Sequence, residues 1–429
     1  MTTADSVAAW AASGVVPLTG LPDGPPLRPP GAAALAARRL IRLFDALAGA
    51  FGGSVQVDGA TLLGERAAFT RGRRAGTVSV GGACRLIPAA DGLLAVSLPR
   101  PDDPLLAGAL VGEDLSGPAY DAVAHWARDR PAGEVVAAAA ELGLAISAVG
   151  ECRYRAGVLA AADLVAAAVT GSDLPGPRIR APQRPPPLVV DFSALWAGPL
   201  CAHLLGLVGA TVVKVETKAR PDGARRGDAD FYDLLHGGHR AISVDPLNAE
   251  DAALLRELVA AADIVIEASR PRALAGWGLS AEEAVAAGTT WVGISAYGRT
   301  GDHAQRIGFG DDVAAAAGLV AVDPESGTTV FCGDALADPL AGMTAAVLAL
   351  DGFLHGHGQL IDLSMADVAA ATLDGTISAA AVAIEGAWHL TSPDGSVVVS
   401  DPTARRPRGC AAALGQDTDS VRACLRGST

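Results

Sequence analysis

The chain has 429 residues, enough on ordinary domain sizes for two or three domains with sizeable cores. Half of its residues are hydrophobic and its formal net charge is −14, which excludes a general binder of nucleic acid or anionic membrane surface, since both demand a basic face. Charges such as Asp163 interrupt the apolar runs before the ~18 residues that a membrane helix needs, so no membrane partner is expected. The opening MTTADSVAAWAASG lacks the basic patch and apolar core of a secretory signal. Cys84, Cys152, Cys201, Cys332, Cys410 and Cys424 are scattered without a C-x-x-C or a histidine at metal spacing, so they read as small buried residues of a reduced, cytoplasmic protein without a metal.

In chain order, residues 1–180 come first and are the less regular part. They open with AAWAASGVVPLTGLPDG, which matches DVAAAAGLVAVDPESG, ending at Gly327, in order and character. The helical pattern GAAALAARRLIRLFDALAG from Gly31 parallels DALADPLAGMTAAVLALDG from Asp334, and AADGLLAVSL from Ala89 parallels SPDGSVVVSD from Ser392. An ancestral duplication accounts for the three pairs, with each half keeping different pieces. In the first copy alanines stand where an acid precedes the second copy's helix, which makes it a degenerate, supporting half.

The Pro-rich stretch PGPRIRAPQRPPP, residues 175–187, then divides the chain. Beyond it LVVDF (188–192), a helical GPLCAHLLGLVGA, TVVKV (211–215), Ala241–Val244, a helical AEDAALLRELVAAA, DIVIE (263–267) and WVGISA (291–296) alternate strand with helix. That alternation predicts an α/β fold, βαβ units around a parallel sheet, with ligands outside the carboxyl ends of the strands. The boundaries expected are a supporting half over 1–180, the sheet domain over 188–385, and a tail over 386–429 that packs back on the fold.

Two features point to chemistry. Between strand and helix, Trp196-Ala197-Gly198-Pro199 forms a short turn with proline in the first helical turn and free backbone N–H groups, a setting for an anion or a carbonyl. It is not a dinucleotide fingerprint, since G-x-G-x-x-G is absent, although Glu216 ends the second strand where an acid can hold a ribose hydroxyl. From Lys214 to Arg240 six basic residues face five acids, a +1 window in an acidic chain, and it contains both of the chain's lysines, Lys214 and Lys218. His236 and His239 have no third metal donor nearby and read as strand-edge residues.

Taken together, VVDFSALWAGPLCAHLLGLVGATVVKVE, HGGHRAISVD, DIVIEASRP and ISAYGRTG resemble the family III CoA-transferases, the group that holds formyl-CoA transferase, carnitine CoA-transferase and the α-methylacyl-CoA racemases. The resemblance is strong from about Leu188 to Ala370 and weaker over residues 8–150. It implies an α/β fold, a Rossmann-like parallel sheet domain with a second, smaller α/β domain, in a homodimer that binds no permanent cofactor and uses coenzyme A thioesters and free carboxylic acids as substrates. It places the nucleophilic aspartate on Asp338 of GDALADPLAGM, with Asp334 as competitor. A carboxylate there can attack a thioester to give an anhydride and then an aspartyl-CoA thioester, and a helix start favours its ionised form. The resemblance also implies CoA contacts at Trp196, Ala197, Gly198, Lys214, Glu216, Arg225, Arg226, Arg270, Arg272, Tyr297 and Arg299. Two departures stand out: Trp196 occupies a position that is often glutamine in the transferases, and RIGFGDD has Phe309 and Gly310 where the racemase branch has histidine. The expected activity is CoA transfer through an aspartyl intermediate; the alternatives are racemisation or isomerisation of a CoA thioester, and a silent CoA-binding scaffold.

Overall fold

The computed structural model describes residues 3–51, 53–115, 119–158, 160–171, 185–268 and 272–427. Six strands form one wholly parallel sheet, in the spatial order Gln359–Ser364, Thr290–Ser295, Ile264–Glu267, Leu188–Asp191, Thr211–Thr217, Arg240–Val244. Numbered along the chain this is 6-5-4-1-2-3, the doubly wound order whose direction reverses between Leu188–Asp191 and Ile264–Glu267. Ligands of such sheets gather outside the carboxyl ends at that switch point, here marked by Asp191 and Glu267.

Strand side chains alternate between two cores, as the period of two requires. Val189, Ile264, Ile266, Val292 and Ile294 face the larger core with the helices Ala33–Ala48, Ala160–Thr170, Ala197–Leu207 and Ala337–His355. Val190, Val213, Val265 and Trp291 face the other, against helix Ala249–Ala261. One helix, Ala337–His355, is apolar and long enough to cross a bilayer, which corrects the expectation that charges break up every such run; most of it lies buried inside the protein. It packs against Ala197–Leu207 and against Ala33–Ala48 of the N-terminal half.

The smaller α/β unit is built from the N-terminal region. Strands Cys84–Pro88, Leu93–Ser97 and Ala145–Ala148 form an antiparallel sheet, and helices Asp103–Val111, Ala119–Ala127 and Ala132–Glu141 share its core. The paired segments of the two halves have matching surroundings. The short helices Thr3–Ala12 and Gly310–Ala316 run into Gly14 and Gly318, both in the left-handed region at φ of 72° and 85°. Three residues before each glycine, the carbonyl of Ala11 accepts from Ser400 N–H at 2.8 Å and that of Ala315 from Gly150 N–H at 2.9 Å. The first helix lies beside the hairpin Ala387–Ser392/Gly395–Val398, and the second beside Leu93–Ser97 and Ala145–Ala148. Each half thus covers the other half's antiparallel strands.

The C-terminal segment returns to the parallel sheet. Ala241 N–H donates to the Asp417 carboxylate at 2.9 Å, and Arg422 pairs with Asp251 at 2.8 Å. No cysteine is in a disulfide; Cys84, Cys201 and Cys332 are buried, whereas Cys410 and Cys424 are exposed, contrary to the reading of all six as interior residues.

Candidate active site

At the carboxyl end of Leu188–Asp191 the chain turns through Leu195, a non-glycine residue at φ 69°, into helix Ala197–Leu207. Opposite, the turn before helix Ala337–His355 passes through Ala335 at φ 50°. Left-handed backbone at two residues with side chains costs of order 1–3 kcal/mol each and is held only where the surroundings over-determine it. Both line one cavity of about 540 Å³. Its walls also include Arg66, Gly81, Ser97 and Arg100 from the N-terminal half, Trp196, Arg226 and Phe231 from the sheet domain, and Asp311, Asp334 and Asp338.

Asp338 stands in the first turn of its helix and is partly exposed to the cavity. Burial, and then the neighbouring Asp311 and Asp334, push its carboxyl up to about 7, while Arg66 and the backbone N–H of Gly310 work the other way. Asp311 is pushed up to about 6 by burial and Asp334, against Arg66 and a hydrogen bond from the Ala335 N–H at 2.8 Å. Asp334 is 1% exposed and takes a two-point ion pair from Arg66, through Nε at 2.7 Å and through Nη2. The Arg66 guanidinium also lies 5.0 Å over the Trp196 ring, which meets Phe231 edge-on at 5.5 Å. Burial opposes the charge on Arg66, but Asp334, Asp311 and Asp338 together raise its pKa. The site is therefore three carboxyls around one arginine, with Asp338 close to half ionised at neutral pH. Gly310 is required at this wall, because a Cβ there would run into the Asp338 carboxylate and lie 2.6 Å from the Ala335 carbonyl.

The residues singled out from the sequence fall into distinct groups. Asp338, its competitor Asp334, Trp196 and Arg226 share the cavity. Ala197 and Gly198 are buried below its wall, and a Cβ on Gly198 would strike the Ser193 side chain, so the glycine serves the tight strand-to-helix turn. Lys214 is 1% exposed, its Nζ 3.0 Å from Asp222, 3.8 Å from Asp191 and 2.9 Å from the Ser193 carbonyl. Glu216 pairs with Arg225 at 2.6 Å, and Arg225 also lies over the Tyr232 ring and donates to the Ala412 carbonyl. Lys214, Glu216 and Arg225 thus hold the loop in place from inside, a different task from the ligand contacts expected of them. Of this basic window Arg226 is exposed and makes no ion pair among the described residues.

Arg299 is tied to Glu267 at 2.7 Å in a separate crevice with Trp291 and Asp362. Tyr297 packs under Arg306, 4.0 Å from its ring, with its hydroxyl buried and unpartnered; burial first and Asp312 next raise its pKa. Neither lines the cavity of Asp338. Arg270 lies outside the described residues, and Arg272 opens helix Arg272–Ala275. His236 and His239 are buried, meet edge-to-face with ring centroids 5.7 Å apart, and are held neutral, chiefly by burial and then by Lys214. No cluster of three metal donors occurs among the described residues. Arg66 and Asp311 were not expected from the sequence, and Gly310 only as a departure from the racemase pattern; Asp311 belongs to the same RIGFGDD segment, whereas nothing in GERAAFTRGRR distinguishes Arg66 from the arginines around it.

A doubly wound sheet with a carboxylate-lined cavity beyond the carboxyl ends of Leu188–Asp191 and Thr211–Thr217 defines the class, an α/β protein with a Rossmann-like domain. Residues 188–394, just under half of the chain, match the family described as CoA-transferase family III. Among curated proteins it is similar to a succinyl-CoA–D-citramalate CoA-transferase of Chloroflexus aurantiacus, 32% identical over 214 residues, 46% of this chain and 53% of that protein. It is likewise similar to a probable CoA-transferase of Mycobacterium tuberculosis, 30% identical over 259 residues, 55% of this chain and 32% of that protein. A solved CaiB/BaiF family protein of Brucella suis matches at 25% identity and a TM-score of 0.43, over 48% of this chain and 63% of that one. The chain therefore spans about half, or less, of the length of these curated relatives.

Proposed function

We propose that the chain transfers CoA from an acyl-CoA thioester to a free carboxylic acid, with Asp338 as the covalent carrier. The observation that carries this reading is the placement of Asp338: partly exposed in a cavity beyond the carboxyl ends of the sheet's first two strands, at a helix start, near half ionisation and facing a fixed arginine. Its carboxylate oxygen attacks the thioester carbonyl, forming a C–O bond and expelling CoA as the thiolate. The thiolate then attacks the aspartyl carbonyl of the anhydride, releasing the first acid and leaving CoA on Asp338. The relatives named for succinyl-CoA transfer support the substrate class, CoA thioesters and carboxylic acids. The exposed Arg226 at the cavity wall suits a phosphate of CoA. Incubation with a panel of acyl-CoAs followed by intact-mass measurement tests the proposal. An adduct of CoA mass on the native chain, absent from Asp338→Asn, is the expected result; no adduct across the panel defeats it.

A second reading is favoured by one observation. Asp311 and Asp338 are two acid–base groups poised near neutrality in one cavity, the equipment needed to move a proton beside a thioester carbonyl. Deuterium wash-in at the α-carbon without any CoA adduct would favour racemisation over transfer.

A further inference from the structure

We infer that Arg66, supplied by the N-terminal half, anchors the carboxylate of the acid that accepts CoA, and does so once Asp338 carries CoA. This deepens the CoA-transfer reading of the same cavity and rests on it.

Of the arginines that line the cavity, Arg100 is committed to Asp103 at 2.8 Å and to the Gly143 carbonyl at 2.7 Å, and Arg226 is exposed at the end of the turn Gly223–Arg226. Arg66 alone among them is held in front of the carboxyl cluster. Asp334 engages its Nε and Nη2, while Nη1 has no hydrogen-bond partner among the described residues and the side chain remains 27% exposed. The Trp196 ring, 5.0 Å from the guanidinium carbon, supports the group from one side. A planar fork with one side spent on a buried carboxylate and the other open is the arrangement that receives a second carboxylate.

Charge decides when it does so. In the free enzyme Arg66 faces Asp334, Asp311 and Asp338, and another anion is repelled. Once CoA is esterified to Asp338 that negative charge is gone, and an incoming carboxylate replaces it. Its oxygen then attacks the aspartyl thioester: a C–O bond forms, the C–S bond breaks and CoA leaves as thiolate. The thiolate attacks the acyl carbonyl of the anhydride, making the new thioester and returning Asp338 as carboxylate. No net proton or electron is taken up.

Asp338→Asn, uncharged like the thioester, supplies the test. Calorimetric titration of the full chain with succinate, and separately with butyrate, at pH 8 should show Asp338→Asn binding at least one of the two acids about tenfold or more tighter than the native chain. Adding Arg66→Gln should abolish that gain, with Arg66→Lys falling between. Equal binding by Asp338→Asn and the double variant, with unchanged melting midpoints, overturns the inference. Should Arg66→Gln fail to fold, the Lys variant decides, and unchanged affinity there likewise overturns it. The adduct experiment on the native chain is separate: its failure removes the transfer reading, whereas an adduct with no role for Arg66 in acid binding removes only this inference.

Discussion

Asp338 and Asp311 make opposite demands on one another. Burial is the main force lifting both carboxyls; Asp334 lifts Asp311 further, and Asp311 with Asp334 lifts Asp338, so the pair loses protons in sequence, with Asp311 near 6 and Asp338 near 7. The nucleophile must be ionised, so the rate of adduct formation should climb as pH rises through about 7 and level off above it. Asp311→Asn removes a like charge and keeps an oxygen to accept from the Ala335 N–H. The midpoint of the rise should then move to lower pH by roughly half a unit to one unit, a shift expected from loss of one nearby charge. A pH profile of single-turnover adduct formation measures it; a midpoint unmoved by the substitution would mean that Asp311 does not act on Asp338. The residue scale also shows where sequence reading stops. Lys214 was expected to contact CoA because its segment resembles one that does, yet a resemblance of segments says nothing of orientation, and strand Thr211–Thr217 turns Lys214 inward onto Asp191 and Asp222.

At the scale of elements, the approach of two helices sets the site. Ala197–Leu207 carries the Trp196 wall and Ala337–His355 carries Asp338, and they meet through Gly342, where a Cβ would lie 2.6 Å from the Ala197 carbonyl and 3.0 Å from the Leu200 side chain. Gly342→Ala forces the helices apart, at a cost of about 1–3 kcal/mol for overpacking a close contact. Its urea midpoint should fall, whereas Gly49→Ala, a glycine with open space around its Cβ position, should leave the midpoint near native. Equal midpoints would show that the two helices yield without loss. The strands from Leu188 to Ser295 and the helices Ala197–Leu207 and Ala249–Ala261 were legible in the sequence because each is a local pattern, an apolar run or an amphipathic or buried helix, whereas helix Ala229–His236 was hidden in a window that reads as a polar loop. Asp338 was legible from the motif around it. Arg66 was not, because its partner Asp334 lies 268 residues away and the contact depends on how the two halves interlock.

On the scale of the whole molecule, the halves are joined by polar groups as well as by the packed helices. Asp312 of the second half is fully buried; its carboxylate accepts from Ser97 Oγ at 2.7 Å and from the Phe309 N–H at 2.9 Å, and its carbonyl accepts from Ser147 Oγ at 2.8 Å. Ser97 and Ser147 belong to the N-terminal sheet, so this network pins helix Gly310–Ala316, and the wall of the cavity with it, to the first half. The second carboxylate oxygen has no partner, and burial lifts the group to about 8, so the folded protein holds it protonated at neutral pH. An unfolded aspartate titrates near 3.8. Between those two values the folded state binds the extra proton, so Asp312 contributes its full stabilisation below pH 4 and loses it as pH rises towards 8, by up to about 1.4 kcal/mol per pH unit. Buried His203, His236 and His239 act in the other direction, since burial lowers their pKa and stability is lost on acidification below the histidine range. The two trends separate by difference: Asp312→Asn keeps the accepting oxygen and cannot ionise, while the histidines are common to both chains. The stability of Asp312→Asn relative to the native chain should therefore increase steadily from pH 5 to pH 8, measured by urea unfolding across that range, and a difference that is flat with pH would mean that Asp312 is ionised in the folded protein and that the halves are joined by a charge rather than by a neutral hydrogen-bonded acid.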